Sequence, residues 1–247
     1  MAHDQFRAVD RRGGSRLDAE HPEGAHKRNL YSTIKRMIAE HAFRPGEPVI
    51  ASELAVRLGV SHIPVREVLT RLAVEGRLEH KLHKGFWMRP HSVKELRDKY
   101  KLTYLLLAHS TKFDVGAFTM EGLEKPLDFE YDVQGVFINT NDDLINTHCR
   151  FIEQLFERMV SVGDNTEFDR IIRQFNDFTR PFRIMDLSDK EGFAVISTNI
   201  LGLIGRLQEH DAEGAVVVLK QMLDFKVDRL PMLVDKAVAL SLSLQAV

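Results

Sequence analysis

Polar side chains that could contact a nucleic acid are concentrated in one short segment of the N-terminal half. Ser61, His62 and Arg66 lie within six residues of one another. An arginine guanidinium can donate two parallel hydrogen bonds to O6 and N7 of a guanine, which discriminates between bases by about 1–3 kcal/mol. Hydroxyl and imidazole groups bind phosphates and base edges. The candidate DNA contacts of the whole chain are Ser52, Ser61, His62, Ile63, Pro64, Arg66, Lys84 and Gly85.

The surrounding residues predict two short helices joined by a tight turn, the arrangement that would position these side chains. The first helix is expected over residues 51–58, and Gly59 supplies the left-handed residue that commonly follows a helix. Ser61 is a suitable N-cap for the second helix, and Pro64 is tolerated in its first turn because the N–H groups there have no internal partner. The inner face of the second helix is expected to contain Val65, Val68, Leu69 and Leu72. The first turn of this recognition helix would therefore reach base edges.

A basic β-hairpin is predicted next, with strands at 78–82 and 86–89 and a turn at 83–85. Gly85 would let the backbone approach a groove closely, and Lys84 would contact a phosphate or the minor groove. An isolated hairpin of this kind would be only a solvated surface feature. Its position directly after the two helices favours a DNA-binding wing.

The charge of the chain divides between its two halves. Residues 27–94 contain 13 Lys and Arg against 6 Asp and Glu, whereas residues 95–247 contain 17 against 25. Because the basic segment coincides with the two helices and the hairpin, chance scatter is the weaker explanation. The pattern indicates one domain for a polyanion and another for a different partner.

Other functional classes lack their sequence signals. No phosphate-binding loop, dinucleotide glycine motif, HExxH or nucleophile elbow is present, so we expect neither an enzyme nor a cofactor. Cys149 is the only cysteine, and no apolar run is long enough to cross a membrane. Residues 1–26 are polar and lack the apolar centre of a secretion signal. We therefore expect a disordered N-terminal arm at 1–26 and a cytoplasmic protein.

The C-terminal half predicts helices and shows no convincing strand pattern. Helices are expected to begin near Ser92, Asn141, Thr166, Ser188 and Asp211, the third ending at Pro181 and the last before Pro231. The fold class is therefore mainly α: a winged helix-turn-helix of three helices and a β-hairpin at 27–90, joined to an all-α bundle. The bundle, at 91–235, would bind an effector or dimerise. A C-terminal tail is expected at 236–247.

The N-terminal pattern resembles the winged-helix domain of GntR-type bacterial transcription regulators over about 65 residues. The residues that carry the resemblance are Pro45, Gly46, Glu53–Ala55, Leu58–Ser61, Pro64–Glu67, Leu72, Glu75, Gly76 and Gly85. His62 departs from the pattern, since an arginine usually follows the serine, and Ser52 stands where many relatives have a charged side chain. These departures bear on the operator sequence that would be read.

The helical half resembles the FCD type of effector domain of the FadR subgroup, in its helix order and its Asp211–Ala215 segment. That type commonly holds a divalent metal through one Asp and three His, and the metal helps bind a small carboxylate. Here only His148 is kept: Leu144, Ile200 beside Asn199, and Met222 fall at the other ligand positions. Since one imidazole does not hold a metal, we expect no metal site.

The resemblance implies a homodimer that binds an inverted repeat in a double-stranded DNA operator and responds to a small molecule, a metabolite acid or thioester. Candidate effector contacts are His148, Asn199 and Tyr104, although a histidine on an apolar stripe is more often a core residue, as is Tyr104. Arg150, Arg180 or Arg183 could instead bind a polar metabolite. The main hypothesis is an effector-controlled regulator, in the first place a repressor. The alternative is a constitutive dimeric DNA-binding protein whose helical domain only dimerises.

Overall fold

A computed structural model describes residues 22–39, 43, 45–126 and 142–243, with the backbone alone at 22–28 and 39. Three helices form the N-terminal part: α1 (Pro22–Ala39), α2 (Ala51–Leu58) and α3 (His62–Val74). They surround a core in which Ile34, Val65, Leu69 and Leu72 are fully buried. Helices α2 and α3 lie where the apolar spacing predicted them, and Gly59 between them has the expected left-handed conformation.

The N-terminal arm was predicted too long. Residues 22–26 belong to α1, which begins at Pro22. Proline is favoured at the first position of a helix because its missing N–H would have had no internal partner there. The rest of the expected arm lies outside the described residues.

The wing is a three-stranded antiparallel sheet in the order β1-β3-β2. Strands β2 (Leu78–Lys81) and β3 (Gly85–Met88) form the predicted hairpin, with Leu78 opposite Met88. Strand β1 (Pro48–Val49), which the sequence analysis missed, pairs with β3 through Pro48 opposite Trp87. Two residues give no period-two pattern, so this strand left no sequence signal.

In the described part of the C-terminal half, five further helices form a bundle. They are α4 (Val93–Asp114), α5 (Asp142–Ser161), α6 (Thr166–Leu187), α7 (Lys190–Gln208) and α8 (Ala212–Ser243), with a 3₁₀ turn at Val115–Ala117. Leu155, Ile172, Phe193 and Ile200 are among its fully buried core residues. The mainly α fold with a winged helix-turn-helix and an all-helical bundle is confirmed.

Both prolines expected to end helices lie inside them. Helix α6 continues past Pro181 to Leu187, and α8 continues past Pro231 to Ser243. An internal proline costs about 3 kcal/mol, but tertiary packing opposes this cost: Phe182 and Leu230 are fully buried beside the prolines. The expected tail at 236–247 is accordingly wrong for 236–243, where Ala237 and Ser241 are buried, and its last residues lie outside the described part.

Helix α6 also contacts the winged helix-turn-helix. Asp177 accepts a hydrogen bond from Lys35 Nζ at 2.5 Å, and Arg77 lies 3.9 Å from the same carboxylate. His91, between wing and α4, packs edge-on against Phe182 at 4.8 Å. His62 and Ile63, at the amino end of α3, are exposed to solvent and take no part in this contact.

Candidate nucleic-acid interface and bundle cavity

The amino end of α3 is exposed to solvent. Gly59 has φ 66°, and its backbone N–H donates hydrogen bonds to the carbonyl oxygens of Ala55 and Val56 at the end of α2. Ser61 takes the N-cap position with an extended backbone, yet its hydroxyl accepts no hydrogen bond from the helix. His62, Ile63 and Arg66 are exposed, while Pro64 is half-buried. The first turn of α3 therefore presents side chains and open backbone N–H groups on the same surface.

A groove runs between this helix end and the wing. Ser52, His62, Arg66, Lys84 and Gly85 all line it. The structure thus brings together five of the eight predicted contact residues, from α2, α3 and the hairpin. Ser61, Ile63 and Pro64 lie in the first turn of α3 beside the groove but do not line it.

The lining of the groove is positive or neutral. None of its described residues is acidic, and neither Arg66 nor Lys84 is in an ion pair within the described part of the chain. Three histidines, His62, His80 and His83, add imidazole donors and acceptors. His80 and His83 were not among the predicted residues. Alternation along β2 would put His80 on the same face as buried Leu78, so its exposure left no signal in the sequence.

Contacts of the Trp87 side chain stabilise the turn at the tip of the wing. Trp87 Nε1 donates to the carbonyl oxygen of Lys84 at 3.1 Å, and the ammonium of Lys81 lies over the Trp87 ring. His83 and Gly85 both have positive φ, 59° and 77°, so the hairpin turns within three residues. A substitution at Gly85 would be strained even though a Cβ there meets no atom.

The bundle contains a second candidate site, a mostly apolar cavity of about 80 Å³ between α4, α5, α6, α7 and α8. Tyr104 and Asn199 line it, as predicted for effector contacts. His148 does not: it is fully buried, its Nδ1 lies 2.8 Å from the Leu144 carbonyl oxygen, and its ring packs against Phe193. The core interpretation of His148 therefore fits the structure better than the effector interpretation.

Two buried cations stand in the cavity wall. Lys226 contacts Asp186, which also accepts a hydrogen bond from Arg229 Nε at 2.7 Å. Asp186 is fully buried. Burial and the nearby charges of Arg183 and Arg229 lower the pKa of Lys226 to about 7, while the contact with Asp186 favours the charged form. An additional negative charge in the cavity would stabilise the ammonium further.

Arg183 is the second cation. Its guanidinium donates to Glu153 Oε1 at 2.7 Å, and Arg180 donates to the other oxygen of the same carboxylate. Glu153, which is partly buried, pairs with Arg183, and the fully buried Asp186 pairs with Lys226 and Arg229. Arg229 also pairs with Asp189 and Glu191, which are more exposed. Arg183 and Lys226 line the cavity whereas none of these four carboxylates does, so the charged groups of its lining are positive.

Two hydroxyl groups in the same wall have unused hydrogen-bonding capacity. Thr103 Oγ1 and the Tyr100 hydroxyl are buried and make no hydrogen bond with the residues described in the structure. Such groups cost about 1–3 kcal/mol when they stay unpaired. Sequence reasoning missed Thr103 and Lys226, because each is one residue on a helix face with no local motif.

The residues at the metal positions of the resembled type do not fit a metal. Leu144, Ile200 and Met222 offer no imidazole or carboxylate to accompany His148, and neither does Asn199 beside Ile200. Over 22–126 and 142–243, so far as side chains are described, no group of three or more His, Cys, Asp or Glu could hold one. In the same parts of the chain, no helix is both long and apolar enough to span a lipid bilayer.

Comparison with known proteins gives one family. The family described as "Bacterial regulatory proteins, gntR family" matches residues 26–87. The chain is 31% identical over 152 residues to the Nta operon transcriptional regulator of Aminobacter aminovorans, covering 61% of this chain and 70% of that protein. It is 26% identical over 160 residues to the uncharacterized HTH-type transcriptional regulator YdhC of Bacillus subtilis (strain 168), covering 64% and 69%.

Solved structures show a similar fold. A putative transcriptional regulator GntR from Rhodococcus sp. RHA1 superposes with a TM-score of 0.64 at 16% identity, covering 83% of this chain and 97% of that one. E. coli McbR/YncC superposes with a TM-score of 0.60 at 17% identity, with the same coverage. At these identities the likeness concerns the fold alone.

Proposed function

Because this chain belongs to the GntR family of bacterial regulatory proteins and is a DNA-binding transcription regulator, we propose that a small organic acid in the bundle cavity controls its binding to an operator. The regulator would act as a two-fold dimer on an inverted repeat, in the first place as a repressor. The helical half would be an effector domain of the FCD type that works without a metal. The observation that carries this proposal is that one chain contains both an open basic groove and a mostly apolar cavity lined by two buried cations.

In the DNA complex, Arg66 would read a base edge in the major groove. Its guanidinium is exposed, unpaired among the described residues and placed in the second turn of α3. Ser61 and the open N–H groups of the first turn would bind a phosphate, which the helix dipole favours. His62, Ile63 and Pro64 would contact the adjacent backbone or bases, Ser52 the backbone, and Lys84 and Gly85 the minor groove or a phosphate.

The effector would place its carboxylate against Lys226 and Arg183 and its body against the apolar lining. Thr103 and Tyr100 would then gain a hydrogen-bond partner that they lack among the described residues. Tyr104 and Asn199 lie on the same wall. A cavity of about 80 Å³ suits a small acid and has no room for the nucleotide part of a coenzyme thioester.

The DNA-binding part is tested by fluorescence anisotropy on the region upstream of the gene at fixed salt. Arg66→Ala should remove about 1–3 kcal/mol of discrimination between operator and random DNA. Arg66→Lys should also lose discrimination, because an ammonium cannot make the bidentate contact. Lys220→Ala, an equal loss of charge at an exposed position of α8, is the control. Unchanged operator preference in Arg66→Ala would refute the assignment of the recognition helix.

The effector part is tested by calorimetric titration with a panel of small monocarboxylic acids in the presence of a chelator. A binding acid should lose its affinity in Lys226→Met and weaken in Thr103→Val. Lys220→Met, on an exposed position of the same helix, should bind normally. If no acid binds to a dimer that still recognises its operator, the alternative of a helical domain that only dimerises replaces this part of the proposal.

A further inference from the structure

Helix α4 carries an exposed stripe that the rest of the described chain leaves open to solvent. Leu102, Leu105 and Phe113 are 46%, 61% and 73% exposed. Asp98, Leu102, Leu105, His109 and Lys112 follow one another at alternating steps of four and three residues. Residues at these steps lie on one face of a helix. We call these five residues with Lys94 and Phe113 the α4 stripe.

Alternating steps of four and three are the spacing by which two helices pack side by side. If the partner is a second copy related by a two-fold axis, residues equally far from the axis on either side face each other. If the axis passes midway between Leu102 and Leu105, Leu102 of one copy faces Leu105 of the second copy, and Leu105 of the first faces Leu102 of the second. The apolar centre of the stripe would thus be covered by itself.

The polar ends of the stripe complement each other under the same symmetry. Asp98 lies as far before the axis as His109 lies after it, so the carboxylate faces the imidazole of the second copy. Lys94 comes opposite Phe113 in the same way, which allows an ammonium to lie over an aromatic ring. Each pair occurs twice because of the symmetry, and no like charges oppose each other in these pairs.

We propose that two copies of this chain associate through the α4 stripe, antiparallel, with the two-fold axis between Leu102 and Leu105. The inference deepens the proposed function, because a protein that reads an inverted repeat needs a two-fold axis. It names the surface that supplies this axis. The apolar residues of the stripe become the centre of the interface, and the Asp98–His109 pairs flank it.

The geometry of α4 connects this axis to the DNA-binding part. Strand β3 ends at Met88 and α4 begins at Val93, so the winged helix is joined to the amino end of the stripe helix. In the antiparallel pair the two amino ends are separated by about 21 residues of helix, or about 32 Å at 1.5 Å per residue. Operator half-sites lie about 34–36 Å apart, one turn of DNA. The pairing therefore separates the two winged helices by a distance of the right order.

The apolar centre is tested by sedimentation velocity over a range of concentrations. The 28.3 kDa chain should sediment as a dimer, and Leu105→Glu should raise the dimer dissociation constant by at least about 100-fold, because it would bury a carboxylate against Leu102 of the second copy. Val217→Glu is the matched control: Val217 is 57% exposed on α8, outside the stripe, and its variant should stay dimeric. Leu240→Glu tests the exposed apolar residues in the last turns of α8 and should also stay dimeric.

The polar pairs provide a test that misfolding cannot imitate. Asp98→His alone and His109→Asp alone should each weaken the dimer, because they set like groups against each other. The double variant Asp98→His/His109→Asp exchanges the two groups and should restore the dimer. A monomeric wild type, a fully dimeric Leu105→Glu, a dimer broken by Leu240→Glu, or a double variant no better than the singles would each overturn the proposal.

The dimer experiments and the experiments on the proposed function can fail independently of each other. A monomeric Leu105→Glu variant should still bind the acid that the wild type binds, since the cavity lies within one chain. If the stripe proposal fails, acid binding and the dependence of DNA binding on Arg66 are untouched. If acid binding fails in the wild type while the dimer responds as expected, only the effector part of the proposed function is lost.

Discussion

Replacing Gly192 with alanine should destabilise the bundle, although alanine is the better helix former. Gly192 is buried in the first turn of α7, and a Cβ there would lie 2.2 Å from the carbonyl oxygen of Asp186. Carbon atoms in contact prefer separations of about 3.5–4.0 Å. One of the two helices would therefore have to move by about 1 Å or more.

The Asp186 carbonyl is not free to give way. It accepts the N–H of Asp189 at 3.1 Å, in the turn between α6 and α7. Overpacking of this kind costs about 1–3 kcal/mol and occasionally more, against a gain of about 1 kcal/mol for replacing glycine in a helix. We expect a net loss of about 1 kcal/mol, and at most about 2, in the free energy of unfolding, or roughly 2–8 °C in the melting temperature of a chain of this size.

Gly202→Ala is the control, since it makes the same chemical change in the same helix. A Cβ at Gly202 meets nothing within 4 Å, and the residue is exposed. This variant should gain about 0.5–1 kcal/mol. Urea unfolding followed by circular dichroism measures both. Equal effects of the two substitutions would refute the argument, and so would any stabilisation by Gly192→Ala.

Three further expectations concern charge and burial. Asp186→Asn should lower the free energy of unfolding in urea by about 3–5 kcal/mol, because Lys226 and Arg229 would lose their shared buried anion. Lys84→Ala should weaken operator and random DNA alike and reduce the slope of log affinity against log salt by about 1; an unchanged slope would remove Lys84 from the phosphate contacts. Cys149, whose thiol pKa is raised chiefly by burial, should not react with an aromatic disulfide in the native state at pH 7.5, yet should react fully in urea.

The helix-turn-helix geometry of the candidate nucleic-acid interface could be predicted from the sequence because its signals are local. Gly59, Ser61 and Pro64 determine where one helix ends and the next begins, within six residues. The start of the second helix fixes the position of Arg66 in its second turn. The third strand could not be found this way, since Val49 and Pro48 carry no pattern until the hairpin is present to pair with them.

The cavity could not be predicted from the sequence because its parts come from distant helices. Thr103, Arg183 and Lys226 are far apart in the chain and meet only through packing. His148 was chosen by its position in a resembled pattern, and it packs in the core instead. The prolines show the same limit: the local rule for Pro181 is correct about the lost hydrogen bond, but the burial of Phe182 outweighs it.

Helix α6 contacts both the winged helix-turn-helix and the bundle cavity, so it connects the two candidate sites. Asp177, on its outer face, holds Lys35 and lies near Arg77 of the winged helix-turn-helix. Arg183, six residues later and about 9 Å along the axis, lines the cavity. Coupling requires a ligand that binds one arrangement of the two parts better than another. In the proposed mechanism, an anion that drew Arg183 toward Lys226 would act on the same helix that contacts the winged helix-turn-helix through Asp177.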